Sequence, residues 1–144
     1  MQRGNFNFSL PFIWKEFSER GCATLYSEDY PSINTFNYWR HGFHAAPTDL
    51  YHRPFWLAAR ELHTQTQSKT STDGCLLNKP TFKYQFDLAK TYLKLHSNNC
   101  TFSLVFHVEH GHTKDMNQVH YQNTFLYGLN SLYKSGLGYF FAYL

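Results

Sequence analysis

The chain has 144 residues, with 13 Lys and Arg against 10 Asp and Glu, a net charge of +3, and 19% aromatic residues. That length supports one domain with a real core, and the scattered charge forms no basic stripe, so nucleic acid is not expected as a partner. No apolar run reaches the roughly 18 residues needed to cross a bilayer, and the opening MQRGNFNFSLPF is too interrupted by Asn, Ser and Pro to be a signal peptide.

Residues 12–19, FIWKEFSE, predict a short helix with Phe12, Ile13 and Phe17 on one side, stopped by Gly21. CATLYSED follows as a short strand, with Ala23, Leu25 and Tyr26 as its apolar content and Glu28 and Asp29 at its carboxyl end. Residues 30–53 read as irregular, punctuated by Pro31, Gly42 and Pro47. A helix starts after Arg53, with Pro54 suited to its first turn. The Ser/Thr/Gln-rich stretch 64–80 reads as a surface loop. Phe82, Phe86, Ala89 and Leu93 then mark the buried face of an amphipathic helix over about 80–96.

TFSLVFHV, residues 101–108, is almost continuously apolar and predicts a buried strand in a parallel or mixed sheet. Phe125, Leu126, Leu129, Leu132 and Tyr133 mark a further helix ending near Gly136. Helix, strand, loop and helix make the unit of an α/β sandwich, whose sites lie at the carboxyl ends of its strands.

The loop after that strand holds His107, Glu109, His110 and His112. On an extended backbone His107 and Glu109 face one way and Val108 and His110 the other, so the four cannot share one metal without a bend. The order is not HExxH, and by itself the loop reads as a hydrogen-bonded strand end. Asp29 and Asp49 read first as caps and Arg53 as a partner in a structural ion pair. Cys22, Cys75 and Cys100 show no CxxC spacing; an odd count fits a free thiol or a partner outside this chain. Asn7 and Asn99 head Asn-x-Ser/Thr triplets and are glycosylation candidates if the chain enters the secretory pathway.

One long motif lies over residues 24–58. It comprises Leu25, Glu28 and Asp29; Thr35, Phe36, Asn37 and Tyr38; Gly42 and Phe43; and Pro47, Thr48, Asp49, Tyr51, Arg53, Pro54 and Phe55. This resembles a family of animal proteins of unknown function within the alkaline-phosphatase/sulfatase-like superfamily. Cys75, Glu109, His112 and the leucines 126, 129 and 132 extend the likeness over about 20–137, with 138–144 an unrelated tail. Asn34 stands where the family usually has Gly, a turn position that Asn tolerates at positive φ, and Leu50 stands where it often has His.

The resemblance implies a single partial domain over 1–144: a partial three-layer α/β/α sandwich of the alkaline-phosphatase-like type with an incomplete sheet. It implies a phosphate- or sulfate-ester hydrolase that uses a divalent metal such as zinc when complete. No nucleophile segment precedes residue 20 and no Asp-His-Gly follows, so this chain is expected to be inactive alone. Its candidates are His112 and Glu109 for catalysis, Arg53 and Asp49 for the ester oxygens, and Glu28, His107 and His110 as weak metal ligands. The expected setting is extracellular or luminal, membrane-anchored in a longer parent, with self-association through open sheet edges. Two other readings are a non-catalytic extracellular binding or interaction domain on the same scaffold, and an independent metal-binding protein using His107, His110 and His112.

Overall fold

The computed structural model describes residues 11–66, 75–76 and 79–108. In chain order the elements are α1 (Ile13–Glu19), β1 (Ala23–Glu28), β2 (Leu50–Tyr51), α2 (Arg53–Thr66), β3 (Cys75–Leu76), β4 (Lys79–Pro80), α3 (Thr81–Leu95) and β5 (Thr101–Phe106). The fold is mixed α/β. Its sheet is three-stranded, parallel and open among the described residues, in the order β2-β1-β5. The antiparallel pair β3-β4 falls within the stretch expected to be loop, and α2 runs into that stretch as far as Thr66. The predicted helix over 125–136 lies outside the described residues.

Alternation along β1 sends Leu25 and Ser27 to one face, in register with Ser103 and Val105, and Tyr26 and Glu28 to the other, in register with Leu104 and Phe106. α3 covers the first face: Leu25, Ala89, Tyr92 and Val105 form a buried cluster with Leu50 against it. The predicted apolar positions Phe82, Phe86, Ala89 and Leu93 are all buried. At about 1.5–3 kcal/mol for each large side chain removed from water, this stripe does more to hold α3 than helix propensity does.

α1 covers the second face. Trp14 stacks on Tyr26 with ring centroids 5.6 Å apart, and Phe17 stacks on Phe102 at 4.7 Å. The helix lies where expected, but its inward face differs. Trp14 is the buried residue and Ile13 is exposed, because Trp14 and Phe17 share the i, i+3 side that meets the sheet. Phe12, Phe36, Phe43 and Tyr51 complete an aromatic layer around Trp14 and Tyr26, which accounts for much of the aromatic content. β5 is less buried than its composition suggests; among Thr101–Phe106 only Val105 is fully buried.

Cys22 and Cys100 form a disulfide with Cα atoms 4.5 Å apart, where β1 and β5 begin side by side. The expectation from the odd count, a free thiol or a partner outside this chain, then falls on the remaining cysteine, Cys75. The pairing follows from the parallel register, which sets Ala23 opposite Thr101 and so brings the preceding residues together.

Candidate functional site

The chain leaves β1 to form β2 on one side, then returns through α2 and α3 to place β5 on the other side. The carboxyl ends of β1 and β5 therefore form a topological switch point, the place where open α/β sheets bind ligands. Glu28 ends β1, Asp29 follows it, and His107 follows β5.

All three are buried. Glu28 Oε1 accepts the Thr35 amide at 2.9 Å and the Thr35 hydroxyl at 2.7 Å, and Oε2 accepts the Tyr26 hydroxyl. Burial first, and the Glu28 charge second, push the Tyr26 phenol far up, so it remains a donor. Asp29 Oδ1 accepts the Val108 amide at 2.7 Å, and Oδ2 lies 3.6 Å from His107 Nδ1. The His107 ring packs against Phe86 at 5.4 Å. The two carboxylates thus brace the loop after β1 and the end of β5.

Arg53, the first residue of α2, donates from Nη2 to the Pro31 carbonyl at 3.3 Å. Its partner is a carbonyl rather than the expected carboxylate, and its buried Nε has no hydrogen-bond partner among the described residues. Burial raises the Tyr51 phenol, Arg53 lowers it and Glu28 raises it, so all three share one electrostatic environment. Arg60 closes the loop from outside, its guanidinium 3.7 Å from the Tyr30 ring and 3.3 Å from Ser32 Oγ.

Asp49 is not part of this group. Its Oδ2 accepts the Thr24 amide and hydroxyl, both at 2.8 Å, near the amino end of β1. Thr24 and Glu28 are four strand residues apart, about 13 Å at the usual rise. Glu109, His110, His112 and Asn7 lie outside the described residues. Asn99 is exposed in the turn between α3 and β5, at the opposite end of the sheet from Glu28. Among the described residues no group of three or more His, Cys, Asp or Glu is placed to hold a metal ion. Glu28 already accepts three protein donors, from the Tyr26 hydroxyl and the Thr35 amide and hydroxyl.

The departures from the motif have structural correlates. Asn34 is buried but is not at positive φ; that conformation falls at Trp39 (59°), Gly21 (80°) and Gly42 (81°). Asn34 instead opens the turn, its carbonyl accepting the amides of Asn37 and Tyr38. Leu50 packs on the α3 core, where an imidazole would be poorly accommodated.

Sequence reading missed a polar network on the α2/α3 face. Ser27 Oγ lies 3.1 Å from His52 Nδ1 and accepts Trp56 Nε1 and Gln85 Nε2, each at 3.4 Å. With both lone pairs engaged, Ser27 donates its proton to His52 Nδ1, which leaves the histidine proton on Nε2. Burial lowers the His52 pKa to about 4, so the ring is neutral at physiological pH. The distance would suit a nucleophile and its base, but Ser27 is 0% exposed and a substrate cannot reach it. Gln85 was the available signal: a polar residue on the apolar face of α3, between Phe82 and Ala89.

No curated protein and no solved structure matches the chain. A family match covers residues 3–137, and the chain belongs to the family described as Protein of unknown function (DUF229).

Proposed function

We propose that this chain is part of an alkaline-phosphatase/sulfatase-like ester-hydrolase domain, and that it supplies the braced floor of the ester site without completing it. The observation that carries this reading is Arg53. It sits at the carboxyl side of a parallel sheet, spends one donor on Pro31, and has a buried Nε without a partner among the described residues. Arg53 as a whole is only partly buried, unlike Ser27, so a phosphate or sulfate oxygen that enters beside its guanidinium would satisfy that donor with a charge-assisted bond. Val108, whose amide is held by Asp29, is followed in sequence by Glu109 and, three residues further on, His112, to which the family resemblance gives the catalytic roles.

The nucleophile and the Asp-His-Gly metal ligands are assigned to chain outside this sequence. A divalent metal such as zinc would polarise an ester oxygen in the complete domain. Glu28, Asp29 and Asp49 each accept protein donors, and no step of the proposed reaction is assigned to a metal held by them. The Cys22–Cys100 disulfide supports an extracellular or luminal setting, because such bonds persist in oxidising compartments. No helix among the described residues is long and apolar enough to cross a membrane. Among the described residues β2 and β5 have unpaired outer edges, which supports self-association, readable by sedimentation.

Incubating the purified chain with zinc or manganese and generic phosphate and sulfate esters tests incompleteness. The account expects no turnover above the metal blank. Robust turnover abolished by His112→Ala would show that the chain is a complete enzyme.

A second reading, a non-catalytic binding or interaction domain on this scaffold, is favoured by Tyr38 and Trp39. They are 58% and 69% exposed and meet edge to face at 5.5 Å, with Trp39 in the left-handed region. Retention of partner capture by Arg53→Gln together with its loss in Trp39→Ala would favour this reading over the first.

A further inference from the structure

Asn99, Cys100 and Thr101 combine two chemistries in one triplet. Asn99 heads an Asn-x-Thr acceptor and is exposed, its amide donating to the His96 carbonyl at 2.9 Å in the turn after α3. Cys100, the middle residue, is bonded to Cys22. Thr101, whose hydroxyl the acceptor triplet requires, is already in β5 opposite Ala23, and the Cys100 carbonyl accepts the Ala23 amide at 2.8 Å. In the folded chain the triplet is therefore both crosslinked and hydrogen-bonded into the sheet.

We propose that Asn99 is an N-glycosylation site whose occupancy is set by a race between glycan transfer and closure of the Cys22–Cys100 disulfide. In transfer, the Asn99 Nδ2 forms a bond to the anomeric carbon of a lipid-pyrophosphate-linked oligosaccharide. The bond from that carbon to the pyrophosphate breaks, the lipid pyrophosphate leaves, and the amide gives up one proton. In closure, the Cys22 and Cys100 thiols lose two protons and two electrons to the disulfide of an oxidoreductase, which becomes a dithiol. Cys22 precedes Cys100 by 78 residues and is already available when Cys100 emerges, so the reactions compete from that moment. Transfer needs the triplet free of the sheet; closure anchors it there. Asn99 lies at the amino end of β5, so its glycan leaves the carboxyl-end site open. The inference rests on a secretory setting and is independent of the ester-site reading.

The test is translation of the full chain behind a cleavable signal peptide into microsomes, with Asn7→Gln so that only Asn99 reports. The expected result is a glycosidase-sensitive mobility shift on part of the product, lost in Asn99→Gln and in Thr101→Ala. Dithiothreitol during translation should enlarge the shifted fraction. Cys22→Ser, and Cys100→Ser, which preserves the acceptor triplet, should give that larger fraction without reductant and show no further response to it. Absence of any shift, even in the cysteine variants with reductant, would overturn the site. A response to reductant in Cys22→Ser equal to that of the parent would overturn the race.

Discussion

Asp29, one residue beyond β1, accepts the backbone amide of Val108, two residues beyond β5, at 2.7 Å. One side chain thereby ties together the two loops that leave the sheet at its switch point. Asp29→Ala would leave a partly buried amide and His107 without that carboxylate, and is expected to cost about 1–3 kcal/mol. Asp29→Asn retains a neutral acceptor and should lose less. Urea denaturation of the two variants checks the order; equal stability of Asp29→Ala and the parent would remove the brace from the account.

At the opposite end of the sheet the Cys22–Cys100 bond closes a long loop. For a separation of 78 residues, chain-entropy reasoning gives about 4.5 kcal/mol of stabilisation from restricting the unfolded chain. The paired variant Cys22→Ser/Cys100→Ser should lose most of that in guanidinium unfolding. A loss well under about 1 kcal/mol would mean that the β1-β5 ladder holds these ends together unaided.

Gly42 and Gly21 both lie at positive φ but differ in their surroundings. A Cβ at Gly42 would come within 2.3 Å of Asn37 Nδ2, which donates to the His41 carbonyl, whereas a Cβ at Gly21 would meet nothing within 4 Å. Gly21→Ala should cost about 1–2 kcal/mol from the backbone conformation alone. Gly42→Ala should cost more, since Asn37 must also move. Comparing thermal midpoints checks the ranking.

His52 sets an acid limit. Its folded pKa, about 4, lies below the ordinary 6.5, so the unfolded chain takes up the proton first as pH falls. Its contribution is neutral above about pH 6.5 and increasingly destabilising from there down to about pH 4, with a slope of at most about 1.4 kcal/mol per pH unit. His52→Gln should flatten that part of the stability–pH curve. An unchanged curve would place the acid sensitivity elsewhere.

The framework was legible where periodicity speaks: the buried stripe of α3, the break at Gly21, Pro54 in the first turn of α2, and β5 as a parallel strand. Glu28 and Asp29 were recognisable as a pair at a strand end, but that they serve as braces depends on Thr35 and Val108, which only the fold brings near. The Cys22–Cys100 pair was hidden because it depends on strand register rather than spacing. Asp49 looked like a ligand because it shares a motif with Arg53, yet the strand rise separates its partner Thr24 from Glu28. Ser27 and His52 drew no notice because each is unremarkable until α2 and α3 close over them.

The central claim, that Arg53 presents a donor to an ester oxyanion, is tested most directly by the Nε–H resonance of Arg53 during titration with inorganic sulfate and with phosphate. The account predicts a saturable shift of that resonance, absent in Arg53→Gln, and not reproduced by chloride at matched ionic strength. An unmoved Nε–H signal at saturating anion, with the protein folded, would contradict it.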